Sequence, residues 1–157
     1  MEGRLDVEFE GEAWSFERVN MGNPHAIVFR RPDDSLIERL GPAVERAVPG
    51  STNVEFVGPR SGATLGGSVH AGVELDTESS GLTIRVWERG VGRTLACGTG
   101  ACAVAAAACA TGRAAHDGPI RVALPGGELV ITVASATGQV RMRGPARRVF
   151  SGEVVIA

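Results

Sequence analysis

Residues 101–111 read Ala-Cys-Ala-Val-Ala-Ala-Ala-Ala-Cys-Ala-Thr, small and apolar at nearly every position. Alanine is the strongest helix former, so the run predicts a helix from about Gly98 to Thr111, closed by Gly112 at the C′ position. That helix has no polar face. A helix that is apolar all round is buried on most sides, and side chains this small let neighbouring strands approach its axis. The rest of the chain must therefore supply a wrapping. With 22 glycines, no tyrosine and few other aromatics, the composition favours short strands joined by turns over a helical bundle.

The flanking segments have the pattern of strands. Leu5, Val7 and Phe9 alternate with Asp6, Glu8 and Glu10, and a shorter alternation of Trp14 and Phe16 follows a turn at Gly11-Glu12. Met21-Gly22-Asn23-Pro24-His25 is a turn of restricted geometry, since Pro24 fixes its own φ and disfavours a helical Asn23. Residues 26–29 read as a buried strand. Leu36, Leu40, Val44 and Val48 recur every four residues and predict an amphipathic helix to about Ala47, with Asp34 or Ser35 as N-cap and Pro42 breaking it in two. Further strands are expected at 52–57, 82–88, 120–124, 128–133, 139–143 and 149–156. Residues 58–68 are turn-rich, followed by a possible strand at 69–75 and a loop at 77–81. The fold class read from this is α+β, with about eight to ten strands around one buried helix and a second helix outside, in a single domain over residues 1–157.

Bulk properties bound the function. The formal net charge is -2 and dense basic clusters are lacking, which argues against nucleic acid or an anionic membrane as partner. Arg141, Arg143, Arg147 and Arg148 come closest, and the first two alternate with Val140 and Met142 as on the solvated face of a strand. No run is long and bulky enough to span a membrane, and the N-terminus lacks the pattern of a signal peptide, so a cytoplasmic location is expected. Three cysteines make a poor disulfide framework. Without a CxxC pair, and with His25, His70 and His116 scattered, no metal site is expected.

Chemistry concentrates where the small-residue helix begins. Cys97 stands at that start, followed by Gly98-Thr99-Gly100. The unpaired N–H groups and partial positive charge of a helix N-terminus can hold a carboxylate and lower the pKa of a thiol there. Cys97 is thus either a thiolate used as base or nucleophile, or a small buried hydrophobe, the reading that fits Cys102 and Cys109. His25 is either an acid–base group or the cap of a strand end. Glu88 and Arg89 either tune the thiol and clamp an acid or are ordinary surface charges, and Asn53 either reads a polar substrate end or supplies a turn. Gly98-Thr99-Gly100 resembles an anion nest, but no Gly-Lys-Ser/Thr follows, which argues against a P-loop. Gly90-Val91-Gly92 lacks the third glycine of a dinucleotide fingerprint, and no local signature of a Cys–His protease surrounds Cys97.

Two segments together resemble diaminopimelate epimerases: Met21-Gly22-Asn23-Pro24-His25-Ala26-Ile27-Val28, and the long, specific run from Glu88 through Cys97-Gly98-Thr99-Gly100-Ala101-Cys102 to Ala103. Thr52-Asn53-Val54-Glu55-Phe56 and Gly144-Pro145-Ala146-Arg147-Arg148-Val149-Phe150 add further matches, so the resemblance covers nearly the whole chain. It is to the second half of the family's two-domain fold only, each half being mostly antiparallel sheet around a central helix. The first-half Cys-Gly-Asn-Gly segment that carries a partner cysteine is absent here.

The resemblance implies an enzyme that inverts an α-carbon between LL- and meso-diaminopimelate, for lysine and cell-wall precursors, without pyridoxal phosphate or metal. One thiolate removes the α-proton and a second cysteine on the opposite face returns one. Cys97 matches one of that pair. Glu88 and His25 match residues that support the thiols and hold the substrate ammonium. Gly98 and Thr99 match the helix-start donors to the α-carboxylate, and Asn23, Asn53 and Arg89 match residues that read the distal end. The implied partners are diaminopimelate and the N-terminal half of the enzyme. Two alternatives stand beside this: a non-catalytic diaminopimelate-binding or structural domain, which Arg93 favours by standing where the family often has an acidic residue, and a cysteine-based racemase for another amino acid.

Overall fold

The computed structural model describes residues 1–59 and 81–155. The possible strand and the loop expected between residues 69 and 81 fall, as far as residue 80, outside them. Among the described residues, nine strands and two helices follow in the order β1 (Arg4–Phe9), β2 (Glu12–Asn20), β3 (Pro24–Val28), α1 (Asp34–Ala47), β4 (Asn53–Pro59), β5 (Leu82–Glu88), β6 (Gly92–Thr94), α2 (Gly98–Ala110), β7 (Ile120–Leu124), β8 (Gly127–Val133) and β9 (Val140–Arg143). The strands form one sheet in the order β1-β2-β3-β4-β5-β7-β8-β9, with β6 paired to β5. Neighbours are antiparallel except β3 with β4 and β5 with β7. Parallel neighbours need a long crossover connection, and each of these two pairs has a helix in its connection.

The sheet curves around α2, which touches β2, β3, β4, β7, β8 and β9, while α1 lies against β1, β4, β5 and β6. Side chains alternate across a strand, and this divides the core in two. Val19, Ile27, Val57, Leu82, Ile84 and Val86 face the alanines of α2. Trp14, Phe16, Ala26, Val28, Val54 and Phe56 face Ile37, Leu40 and Val44 of α1. The helix of small residues is thus the inner one, as its composition requires.

Four expectations need correction. The N-cap of α1 is Asp33, whose carboxylate accepts from Leu36 N at 2.9 Å. Pro42 sits inside an unbroken α1. Burial of Ile37, Leu40, Gly41 and Val44 holds both turns to one surface, which outweighs the single hydrogen bond Pro42 removes. Residues 92–94, expected as part of a connection, form β6 because the turn before them folds the chain back onto β5. Of the strand expected at 149–156, residues 149–155 are described and are not one: they are exposed and pair with no strand among the described residues. Their apolar side chains Val149, Phe150, Val154 and Val155 face solvent.

Candidate active site

The parity that builds the core also builds the site. His25 opens β3 and Asn53 opens β4, and the parallel register sets them side by side. Val54 lies opposite Trp87, so Asn53 and Glu88 are neighbours at the same end of β4 and β5. His25, Asn53, Glu55 and Glu88 all have the parity of the residues that face α2.

Above them α2 begins. Cys97 is its N-cap, in an extended conformation (φ -141, ψ 106), and its sulfur accepts from Gly100 N at 3.3 Å. Such a cap takes one of the donors that a helix start leaves unpaired. Cys97 Sγ also lies 3.6 Å from Thr99 Oγ1. Thr99 Oγ1 accepts from Asn23 Nδ2 at 3.4 Å, Asn23 Oδ1 lies 3.1 Å from His25 Nε2, and His25 Nδ1 lies 2.7 Å from Glu55 Oε1. Five side chains from the β2–β3 turn, β3, β4 and the start of α2 thus form one continuous hydrogen-bonded chain ending on the thiol.

Electrostatics correct one expectation. The helix start does act on Cys97 in the expected direction, through the contacts from Thr99 and Gly100, but burial outweighs them and pushes the thiol up, with Glu55 and Glu88 adding repulsion. Cys97 is therefore a thiol in the resting site. Since only the thiolate is nucleophilic, alkylation of Cys97 by iodoacetamide will be slow at neutral pH and will rise only above the ordinary cysteine range. Site-resolved mass spectrometry checks this, and fast reaction at neutral pH would contradict it. Burial likewise pushes the Glu55 carboxyl up, with the His25 contact opposing it.

The remaining sequence-derived residues are placed as follows. Glu88 accepts from Thr94 Oγ1 at 2.7 Å, which ties it to β6. Asn53 donates to Pro24 O at 3.1 Å and accepts from Arg89 N at 3.0 Å, so its amide joins the start of β3 to the turn after β5. Arg89 is exposed, and its guanidinium donates to Gly50 O at 3.2 Å. Gly98 lies beside Met142 of β9. Arg93 pairs with Asp34 and Glu38 of α1 at 2.9 and 3.3 Å, on the sheet face opposite α2. That placement removes the support Arg93 lent to a non-catalytic reading. Among the described residues no group of three or more His, Cys, Asp and Glu is arranged to hold a metal ion.

Two residues of this site were not foreseen. Glu45 of α1 accepts from Trp87 Nε1 at 2.7 Å, Gly90 N at 2.8 Å and Ser51 Oγ at 3.0 Å, and so clamps the turn that carries Arg89. The Trp87 bond is the main reason its carboxyl is held down. Nothing in the periodicity of α1 marks it. Glu55 did leave a signal: it is a lone carboxylate inside the otherwise apolar run Val54-Glu55-Phe56-Val57.

The sheet wrapped on α2 is shared with solved structures of two kinds. A Bacillus anthracis phenazine biosynthesis protein of the PhzF family superposes with a TM-score of 0.52 at 17% identity, covering 89% of this chain and 38% of that one. A probable proline racemase from Agrobacterium radiobacter superposes with a TM-score of 0.55 at 16% identity, covering 90% and 45%. The fold is thus that of one half of such proteins. At the sequence level, residues 18–149 match the family described as diaminopimelate epimerase. Diaminopimelate epimerases of Desulfitobacterium hafniense (42% identity over 95% of this chain) and Desulforudis audaxviator (46% over 88%) are close relatives, and that of Synechocystis is 42% identical over 97%. This chain belongs to the diaminopimelate epimerase family. It spans about half the length of these curated relatives, from 44% to 49%.

Proposed function

We propose that residues 1–157 are one domain of a cofactor-independent epimerase that interconverts LL- and meso-diaminopimelate in the cytoplasm, and that Cys97 is one of its two proton-transfer groups. The observation that carries this is the N-cap position of Cys97. It puts a sulfur, the unpaired N–H groups of Gly98 and Thr99, and the carboxylate of Glu88 at one helix start. The substrate carboxylate binds those N–H groups, and its ammonium lies toward Glu88. When Cys97 acts as base, its thiolate forms an S–H bond as the α-C–H bond breaks. The electron pair moves into the carboxylate, where the preorganised N–H donors stabilise the developing charge. When Cys97 acts as acid, its S–H proton passes to the α-carbon, which suits a resting thiol. The opposite face needs a second thiol, which the N-terminal half supplies. The exposed apolar side chains of residues 149–155 are consistent with a surface that this half covers.

The test is reconstitution. The chain alone converts no LL-diaminopimelate and exchanges no α-proton in heavy water. Mixing it with a separately produced N-terminal half restores both. Turnover by the isolated chain at an ordinary enzymatic rate would refute the two-thiol reading. Activity confined to another amino acid in a substrate panel would move the assignment to a related racemase, and binding without exchange would favour a non-catalytic domain.

A further inference from the structure

Glu55 is fully buried, the one charged side chain in an otherwise apolar stretch of β4. Burying a carboxylate is expensive unless it is well paired, and apolar replacements of buried ion pairs are often neutral or stabilising. Here one oxygen, Oε1, takes the short contact to His25 Nδ1, and Oε2 finds no partner among the described residues. Register places Glu55 between Ile27 and Val86, which offer it nothing polar from their side chains. A residue kept only for stability would not have this arrangement.

Its surroundings point to the thiol. A Cβ added to Gly100 would come within 2.7 Å of Glu55 Oε1 and 3.2 Å of Cys97 Sγ. The carboxylate and the sulfur therefore meet at the same bare backbone position, the first turn of α2, and only glycine leaves room for both. We propose that Glu55 is a positioning residue: by accepting from His25 Nδ1 it holds the imidazole with Nε2 toward Asn23, and through Asn23 and Thr99 this sets the hydrogen bond that Cys97 Sγ receives.

The chain from His25 to the sulfur has two self-consistent polarities, because the Asn23 amide and the Thr99 hydroxyl can each reverse. In one, Nε2–H donates to Asn23, Asn23 donates to Thr99, and Thr99 O–H donates to a Cys97 thiolate. In the other, Asn23 donates to Nε2, Thr99 donates to Asn23, and the Cys97 thiol donates to Thr99. The two differ by one proton moved between sulfur and Nε2, with the S–H bond broken and the N–H bond formed, so the proton count is conserved. Both have Nδ1–H directed at an ionised Glu55, the arrangement this proposal assigns. The carboxylate is thus the fixed end of a chain whose other end follows the state of the thiol. The groups facing this chain are Glu88 from β5, which acts on both Glu55 and Cys97, and Cys102 from α2, which senses Cys97.

This inference deepens the reading of Cys97 as a proton-transfer group and rests on it for the kinetic outcome. The test compares Glu55→Leu and Glu55→Gln in the reconstituted enzyme. Leucine removes the acceptor and fits the apolar strand but leaves the buried His25 Nδ1 unpaired, so thermal unfolding shows a lowered Tm and kinetics are compared well below it. Glutamine keeps an acceptor oxygen at the same place. Expected for Glu55→Leu is a fall in kcat of about ten- to a hundredfold, the size of loss known for metal-bound imidazoles deprived of their carboxylate partner, with KM little changed. Glu55→Gln recovers most of it, and in a His25→Gln background Glu55→Leu has no further effect. Ring nitrogen NMR of the chain alone shows a hydrogen-bonded Nδ1–H in the wild type and Glu55→Gln and loses it in Glu55→Leu. Wild-type kcat in Glu55→Leu, no rescue by glutamine, or no Nδ1–H in the wild type would each overturn the proposal. If the reconstituted wild type fails to turn over diaminopimelate, the function assigned above fails, and the NMR comparison still decides the role of Glu55 toward His25.

Discussion

Alanine at position 97 is expected to leave the reconstituted enzyme without measurable α-proton exchange. A positioned acid–base group contributes about a hundred- to ten-thousandfold, and Cys97 as the direct proton carrier belongs at the upper end, about a thousandfold or more. Two effects contribute and can be separated. Cys97 is also the N-cap of α2, accepting from Gly100 N, and losing a cap costs about 0.5–2 kcal/mol. Serine keeps a cap oxygen but is a far weaker acid than a thiol. Cys97→Ser should therefore unfold like the wild type while losing activity as fully as Cys97→Ala. Full activity in either variant would remove Cys97 from its role.

The largest effect on stability is expected at Phe56. Its ring is fully buried between the sheet and α1 and meets Phe16 edge-to-face, with centroids 6.3 Å apart and planes at 79°. Phe56→Ala creates a cavity in the smaller of the two cores and deletes the aromatic pair, at a cost of about 3–5 kcal/mol. For a chain of this length that lowers Tm by about 10 °C or more, measurable by calorimetry or circular dichroism. Because Phe56 faces α1 and its neighbour Glu55 faces α2, the variant also tests the division of the core. Its Cys97 alkylation profile should stay close to wild type below the melting transition. A loss of a few tenths of a kcal/mol would mean that this core repacks freely.

Much of the site was legible because it is local. A helix of small residues, its glycine stop, the thiol at its start and the Asn-Pro-His turn are all written in contiguous sequence. So is the set of strands from residue 82 to residue 143, apart from β6. The misses are non-local. Pro42 ends an isolated helix, but α1 is held by the surface it covers. Residues 149–155 have the side chains of a strand but join neither edge of the sheet. Arg93 looked like a residue of the glycine loop near the thiol, yet β6 turns it to the opposite face, where Asp34 and Glu38 wait. Asn53 left two readings open, a substrate contact or a turn residue, and the folded chain joins its two ends to Pro24 O and Arg89 N.

The sequence by itself determined that a buried small-residue helix is the centre of this protein, that a cysteine stands at its N-terminus, and which family the chain resembles. Those properties depend on residue volume, helix periodicity and capping, each read within a few neighbouring positions. Only the tertiary structure decided that Glu55 lies under that helix against His25, and that burial pushes the Cys97 thiol up rather than down. The first depends on the parallel register of β3 and β4, strands joined through α1 and set side by side only by the folded sheet. The second depends on how deeply the sheet buries the sulfur, since desolvation there outweighs the donors at the helix start.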